Sequence, residues 1–411
     1  MVINRWTRGA LGGTAGLLGL VIAVFLLVAT LANGCGPTAS AASPVTKAKT
    51  AVPSTSPAAA STSPAPTVKA PTYSLHCSGQ YIVNSKNQRF NLKFTQVYIV
   101  PLWWETGSGK KASWGPWKND SSHVVDSYLV NYDNRAAQMD AMQAAGINGA
   151  RLWFCPRMAL DPYFTSKYYT PQEYIKRFAT YCNDMAARGM YMIVGCNGGG
   201  GFPPTGDAEI KFMKSLLGAL GPNHNWIYEL TNEPDIDFSR GGENWNQILQ
   251  RCKDTITWLR KNGYSGPIVI PKWMSGGGLE NYPDSQHNVI MSYHQYDFGK
   301  VSAEQLMQDR ADYSKKHNVP VINGEFQTNK DHYMDVMYDY VATNVVSGGV
   351  GFNWSDQDGL NMTSDWKTSG TTLNDWGTRF RDHYAKKLPT FKGDPLPAPG
   401  SPKSPPEAQK K

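Results

Sequence analysis

Eight short apolar runs, most of them followed by a stretch of helical periodicity, constrain this chain more than any other feature. They fall at 92–100, 149–154, 191–195, 226–231, 267–271, 289–293, 319–322 and 349–354. Helical patterns occupy 131–145, 171–188, 207–220, 244–261, 302–317 and 331–346, with a last one near 374–387. The link between the fifth and sixth runs is short and Gly-rich, a poor helix. Short apolar runs separated by helices describe β-α units around a parallel sheet. Eight such units within about 300 residues suit a (β/α)8 barrel, whose active site lies where the strands end. A doubly wound open sheet would carry a Gly-rich phosphate loop after its first strand. The longest Gly run, Gly198-Gly199-Gly200-Gly201, follows the third strand and lacks the Lys-Ser/Thr of a P-loop. The fold class expected is therefore α/β, a (β/α)8 TIM barrel over residues 73–388.

The two ends differ from this body. Arg5 and Arg8 precede an uncharged apolar run at 10–32. A positive flank followed by an apolar centre makes residues 1–35 a signal peptide, a lipoprotein signal or a membrane anchor. Leu31-Ala32-Asn33-Gly34-Cys35 resembles a lipoprotein cleavage site, with Cys35 the lipidated residue, and Ala39-Ser40-Ala41 offers an ordinary one. All three readings send the chain outside the cytoplasm, secreted or tethered to the outer face of the membrane, with membrane contact only through this segment. Residues 36–72 are almost entirely Ala, Ser, Thr, Pro and Lys, and 389–411 are rich in Pro and Lys. Neither stretch can bury enough apolar surface to offset its ordering entropy, so a disordered linker and tail are expected. The first 72 residues hold five basic and no acidic side chains, and the last 23 hold four basic and two acidic. The ends thus carry the whole formal charge of +7, and the basic pI gives no argument for nucleic acid. Besides Cys35 there are Cys77, Cys155, Cys182, Cys196 and Cys252, at spacings that match no zinc pattern. Cys155 and Cys196, each just after an apolar strand, could form a disulfide or remain buried thiols.

The fourth run ends in Thr231-Asn232-Glu233-Pro234 and the seventh continues into Asn323-Gly324-Glu325-Phe326. Proline cannot continue a ladder, so the fourth strand must stop with a carboxylate at the rim. Two strand-terminal glutamates on opposite sides of a small barrel can converge on one cleft. A strand-end Glu alone is more often a rim salt bridge, so the pairing carries the argument. Glu229, four residues before Glu233, faces the same side deeper in the barrel and reads as a buried structural carboxylate.

These two motifs resemble the paired glutamate motifs of clan A glycoside hydrolases, and most closely family 5, the cellulase and β-mannanase family. The resemblance implies that Glu233 is the acid/base and Glu325 the nucleophile. It implies further that Arg151 supports the nucleophile, that Asn232 binds the sugar 2-hydroxyl, and that Trp354 floors the sugar site. Ser292-Tyr293-His294-Gln295-Tyr296 is similar to the family's His-x-Tyr, which implies site roles for His294 and Tyr296, the Tyr bonding the nucleophile. Where the family often has a histidine after strand three, this chain reads Val194-Gly195-Cys196-Asn197.

Glycosidic cleavage needs one carboxyl that donates a proton and one that attacks C1, with the pair ~5–5.5 Å apart for retention. The expected function is a retaining, endo-acting hydrolase of a β-linked polysaccharide, β-1,4-glucan or β-mannan. The alternatives are a non-catalytic carbohydrate-binding surface protein on the same scaffold, or an exo-acting glycosidase or transglycosylase. Trp103, Trp104, Trp114 and Trp117 after the first strand, and Trp273 after the fifth, offer faces for sugar stacking or for packing a loop onto the barrel. No metal or organic cofactor is implied, and a monomer is expected.

Overall fold

The computed structural model describes residues 74–100 and 131–392, apart from 161, 197–203, 205, 222–224, 234–244, 272–283, 285, 296–300, 344–345, 355–360 and 366–367. The amino-terminal segment with Cys35 and the linker lie outside the described residues, as do Trp103, Trp104, Trp114, Trp117, Trp273 and Tyr296. Among the described residues no helix is long and apolar enough to cross a membrane.

Eight parallel strands close into the expected (β/α)8 barrel. They are β4 (Leu92–Val97), β5 (Gly149–Phe154), β6 (Tyr191–Cys196), β7 (Trp226–Glu229), β8 (Ile268–Pro271), β9 (Val289–Gln295), β10 (Val321–Gln327) and β11 (Gly348–Phe352). Neighbours in sequence are neighbours in the barrel, and β11 closes it by pairing Gly348 with Leu92. The helices begin where their sequences direct. The long helix at Pro171–Ala187 opens with a capping box, in which Thr170 and Glu173 satisfy each other's backbone N–H, and with Pro171 in the first turn. The helix Ala303–His317 starts on the Ser302 hydroxyl and ends at Asn318 in the left-handed region, with Lys315, Lys316 and His317 in its last turn.

The apolar side chains divide into two layers. Seven of the eight strands point an apolar side chain into the barrel: Phe94, Ile193, Ile227, Val269, Ile290, Ile322 and Val350 lie in a single buried cluster, while β5 places Arg151 in the inward row. The alternate positions, including Leu152, Val194, Tyr228, Met291 and Phe326, pack outward against the helices in a second, larger cluster. This alternation is what a strand buried on both faces produces.

Below the barrel lies a small sheet that the periodicity did not indicate. Strands β1 (Leu75–Ser78), β2 (Tyr81–Asn84), β3 (Arg89–Phe90) and β12 (Phe391–Lys392) pair antiparallel in that order. Leu75, Ile82 and Phe90 join the inner cluster and seal its amino-terminal end. The tail expected from residue 389 therefore begins later. Phe391 pairs with Phe90 and their rings lie 5.5 Å apart, so residues 391–392 belong to the folded body. The last helical pattern divides into a short α-helix, Asp375–Arg379, and a π-helical stretch, Phe380–Ala385.

Lys93, in the outward row of β4, is 6% exposed and donates from Nζ to the Leu388 carbonyl at 2.8 Å. Burial lowers its pKa to about 8. An unfolded lysine titrates near ~10.4. Below pH 8 both states hold the proton, and the cost of burying the charge is fully present. Between pH 8 and ~10.4 the folded state gives up its proton first, so stability from this group rises with pH. Thermal unfolding of wild type and Lys93→Met at pH 7 and 9.5 is expected to show the difference shifting in favour of wild type at the higher pH. A difference that stays constant would show that the ammonium is solvated.

Candidate active site

Arg151 organises the carboxyl-terminal mouth of the barrel. It lies in the inward row of β5, is fully buried, and each of its five N–H bonds has an acceptor. Nε donates to Glu229 Oε2 and Nη2 to Glu229 Oε1, both at 2.8 Å, a bidentate fork. Nη2 also donates to Asn232 Oδ1 at 3.0 Å. Nη1 donates to Glu325 Oε1 at 2.5 Å and to Gln96 Oε1 at 3.3 Å. Burial alone would lower the guanidinium pKa, but Glu229 and Glu325 outweigh it and raise it above the ordinary arginine value.

Each acceptor is delivered by its strand. Ile227 and Glu229 share the inward row of β7, which places Glu229 below the strand end that carries Asn232 and Glu233. The neighbouring β6 makes room for it, since a Cβ at Gly195 would stand 2.4 Å from Glu229 Oε2. Glu325 arrives differently. On β10, Ile322 points inward and Asn323 outward to the Tyr333 hydroxyl, so strict alternation would turn Glu325 out. The pairing of β10 with β9 slips between Asn323 and Glu325, a one-residue bulge at Gly324. The bulge turns Glu325 into the mouth and Phe326 into the helix layer. Glycine at 324 leaves room for the Ser292 hydroxyl, since a Cβ there would lie 2.0 Å from Ser292 Oγ.

His294, at the end of β9, completes the group. Its Nδ1 lies 2.9 Å from Glu233 Oε1 and 3.5 Å from Glu325 Oε2. One side-chain ligand atom from each of Glu233, His294 and Glu325 falls within 4.8 Å of the others. The carboxylates of Glu233 and Glu325 therefore approach closely, with Glu233 at 18% side-chain exposure and Glu325 at 5%. The same trio is the group of described residues that could hold a divalent cation.

Arg151, Asn232, Glu233, His294 and Glu325 are thus brought together, whereas Trp354 is not. Its indole has no exposed surface; it packs within the outer cluster and donates from Nε1 to the Gly370 carbonyl at 2.9 Å. The expectation that Trp354 floors a sugar is corrected accordingly, because a stacking platform needs a free face. The loop that follows anchors the indole and folds around Asp365. That carboxylate accepts from the Ser369 hydroxyl and from the backbone N–H of Thr371 at 3.1 Å and Thr372 at 2.9 Å. Burial would raise its pKa, but these hydrogen bonds prevail and hold it at about 2.

Two contributors were not singled out from the sequence. Trp153, two residues beyond Arg151 on β5, has its ring 4.7 Å from the guanidinium carbon and 5.6 Å from the Tyr98 ring. Gln96, near the end of β4, accepts from Arg151. The two-residue strand period counted from Arg151 would have found the first. Cys155 and Cys196 do not form a disulfide: both are thiols buried in the layer between barrel and helices.

A model of the cellulase family, glycosyl hydrolase family 5, matches residues 107–358, more than half of the chain. Among solved structures, the mannotriose complex of β-mannanase from Thermomonospora fusca is similar at 16% identity. The match covers 78% of this chain and 98% of that one, with a TM-score of 0.53. A second structure of β-mannanase from Thermomonospora fusca matches at 15% identity over 76% of this chain and 96% of that one, with a TM-score of 0.52. At such identities these neighbours show the shared barrel.

Proposed function

The chain belongs to glycosyl hydrolase family 5, the cellulase family, and from that premise we propose that it cleaves a β-linked polysaccharide internally with retention of configuration. It is a glycoside hydrolase of the cellulase type, and β-1,4-glucan and β-mannan are the proposed substrates. The observation that carries the retaining reading is the approach of Glu233 and Glu325, with one carboxylate oxygen of each within 4.8 Å of the other. Inverting pairs stand ~6.5–9.5 Å apart to admit a water.

In this reading Glu325, ionised beside Arg151, attacks C1 while Glu233 protonates the departing oxygen. Water then opens the glycosyl-enzyme, with the Glu233 carboxylate taking its proton. His294, hydrogen-bonded to Glu233 at 2.9 Å, orients that carboxyl between its two tasks. Asn232 gives its carbonyl to Arg151, which leaves its amide N–H groups for the 2-hydroxyl. The apolar run at 10–32 behind Arg5 and Arg8 supports action outside the cytoplasm.

Proton NMR of early digests is expected to show the β-anomer of the new reducing end first, with the α-anomer appearing only by mutarotation. The α-anomer as first product would sink the retaining assignment. A panel of carboxymethyl cellulose, mannan, xylan, xyloglucan and mixed-linkage glucan identifies the sugar, and a viscosity drop that outpaces reducing-end release marks internal cleavage.

A further inference from the structure

We propose that Glu229 is a positioning residue: by gripping Arg151 it aligns both Glu325 and the amide of Asn232, and it keeps Arg151 paired when Glu325 is consumed as the nucleophile. This rests on the reading of Glu325 as nucleophile and assigns a task to a carboxylate that reading does not use.

The geometry argues first for alignment. A guanidinium held on one edge by two 2.8 Å bonds to a single carboxylate has no freedom to rotate in its plane. With that edge fixed, Nη1 is aimed at Glu325 and the second N–H of Nη2 at Asn232. One buried carboxylate thereby sets the attacking oxygen and the amide assigned to the 2-hydroxyl, the contact that strengthens in such transition states. Glu229 itself is 1% exposed, and Gly195 on the adjacent strand gives it the space it fills.

The second argument is charge. Attack forms the C1–O bond, and Glu325 passes from carboxylate to neutral ester while Glu233 gives up its proton to the leaving oxygen. Arg151, fully buried, would then lose its anionic partner at the moment of bond formation. An unpaired buried cation is strongly unfavourable. Glu229 prevents this, because it stays bound to Arg151 throughout. Before attack it also divides the cationic charge with Glu325, so the nucleophile is not neutralised by a dedicated partner.

The test uses Glu229→Gln, which keeps the shape and removes the charge, on a 2,4-dinitrophenyl β-glycoside that wild type cleaves. Such a leaving group makes little demand on Glu233. The expected result is a kcat lowered roughly 100-fold, the scale of a misaligned reacting group, with KM within about threefold of wild type. The acid limb of kcat/KM should move to lower pH, because Arg151 then acts on Glu325 alone. The other groups facing Glu325, His294 from β9 and Glu233 beyond β7, are unchanged in the variant. Glu229→Asp keeps the charge on a shorter reach and should lose less, with the limb nearer its wild-type position. Wild-type kcat in the folded variants, or a loss of kcat with an unmoved or raised acid limb, overturns the proposal. If Glu229→Gln does not fold, wild-type kcat in Glu229→Asp overturns it, and a lowered kcat at unchanged KM supports it. Glu325→Gly in the same assay separates the two levels. If it stays active, the nucleophile reading fails. If it is inactive while Glu229→Gln matches wild type, only the present inference fails.

Discussion

Glu325→Gly is expected to fold and to lose polysaccharide hydrolysis by on the order of 10⁴-fold or more, the scale of deleting a covalent nucleophile. Folding survives because Arg151 retains Glu229, Asn232 and Gln96 as acceptors when Glu325 is removed, so no buried cation is left unpaired. Activity does not survive, because none of these three can reach C1 in its place while both oxygens of Glu229 hold Arg151. Glycine also leaves a void at the attacking position, beside a guanidinium that binds anions. Azide should enter it and attack an activated β-glycoside from the face that Glu325 used. The product is then an α-glycosyl azide, identified by NMR from its anomeric coupling. Hydrolysis within about tenfold of wild type, or a β-azide from this variant, would remove Glu325 from the nucleophile's role.

How far the sequence could lead to this site depended on which rule each residue obeyed. The barrel was legible because seven of its eight strands carry an inward apolar residue, from Phe94 through Ile193, Ile227 and Val269 to Val350, between helices of ordinary length. Glu229 was legible for the same reason, since the two-residue period of β7 puts it on the inward row with Ile227. Glu233 lies past the end of that strand, where Asn232 also turns into the site, and was marked by its motif. Glu325 obeys no such period. Counted from Ile322 it faces outward, and only the slip at Gly324 turns it in. A single glycine inside an apolar strand is a known bulge signal, yet its direction depends on the partner strand. The motif found this carboxylate where periodicity alone would have misplaced it.

Other features lay beyond local pattern. Strands as short as Arg89–Phe90 and Phe391–Lys392 have no period to read, and they form because the open end of the barrel offers Phe90 a buried place. The anchoring of Trp354 involves a loop some ten residues downstream, in which Asp365 accepts hydrogen bonds from Ser369, Thr371 and Thr372 and the Gly370 carbonyl meets the indole N–H. The partnership of Arg151 with Glu229 joins β5 to β7 across an intervening strand that must be bare at Gly195. Each element was readable, but their coincidence in space was not.

Glu233→Ala should separate the two carboxylates by a dependence that no structural role reproduces. General acid catalysis contributes ~10²–10⁴-fold, and most where the leaving group is poor. On a polysaccharide, whose departing oxygen is an alkoxide, the loss is expected at the upper end of that range. On a 2,4-dinitrophenyl glycoside the first step needs no proton, so the glycosyl-enzyme forms at near its normal rate and accumulates. A burst of dinitrophenol followed by slow turnover is the expected signature, because water now lacks the base that Glu233 supplied. Azide needs no base and should restore turnover, entering from the face that Glu233 has vacated. Its product carries the β configuration, opposite to that from Glu325→Gly. The local structure favours a clean result: Glu233 is the more exposed of the two carboxylates, and it is hydrogen-bonded to His294 Nδ1. His294 remains within 3.5 Å of Glu325 and keeps an acceptor when Glu233 is cut back. Equal losses on both substrates, with neither burst nor azide effect, would mean that Glu233 supports the fold of the mouth and that the proton comes from another group.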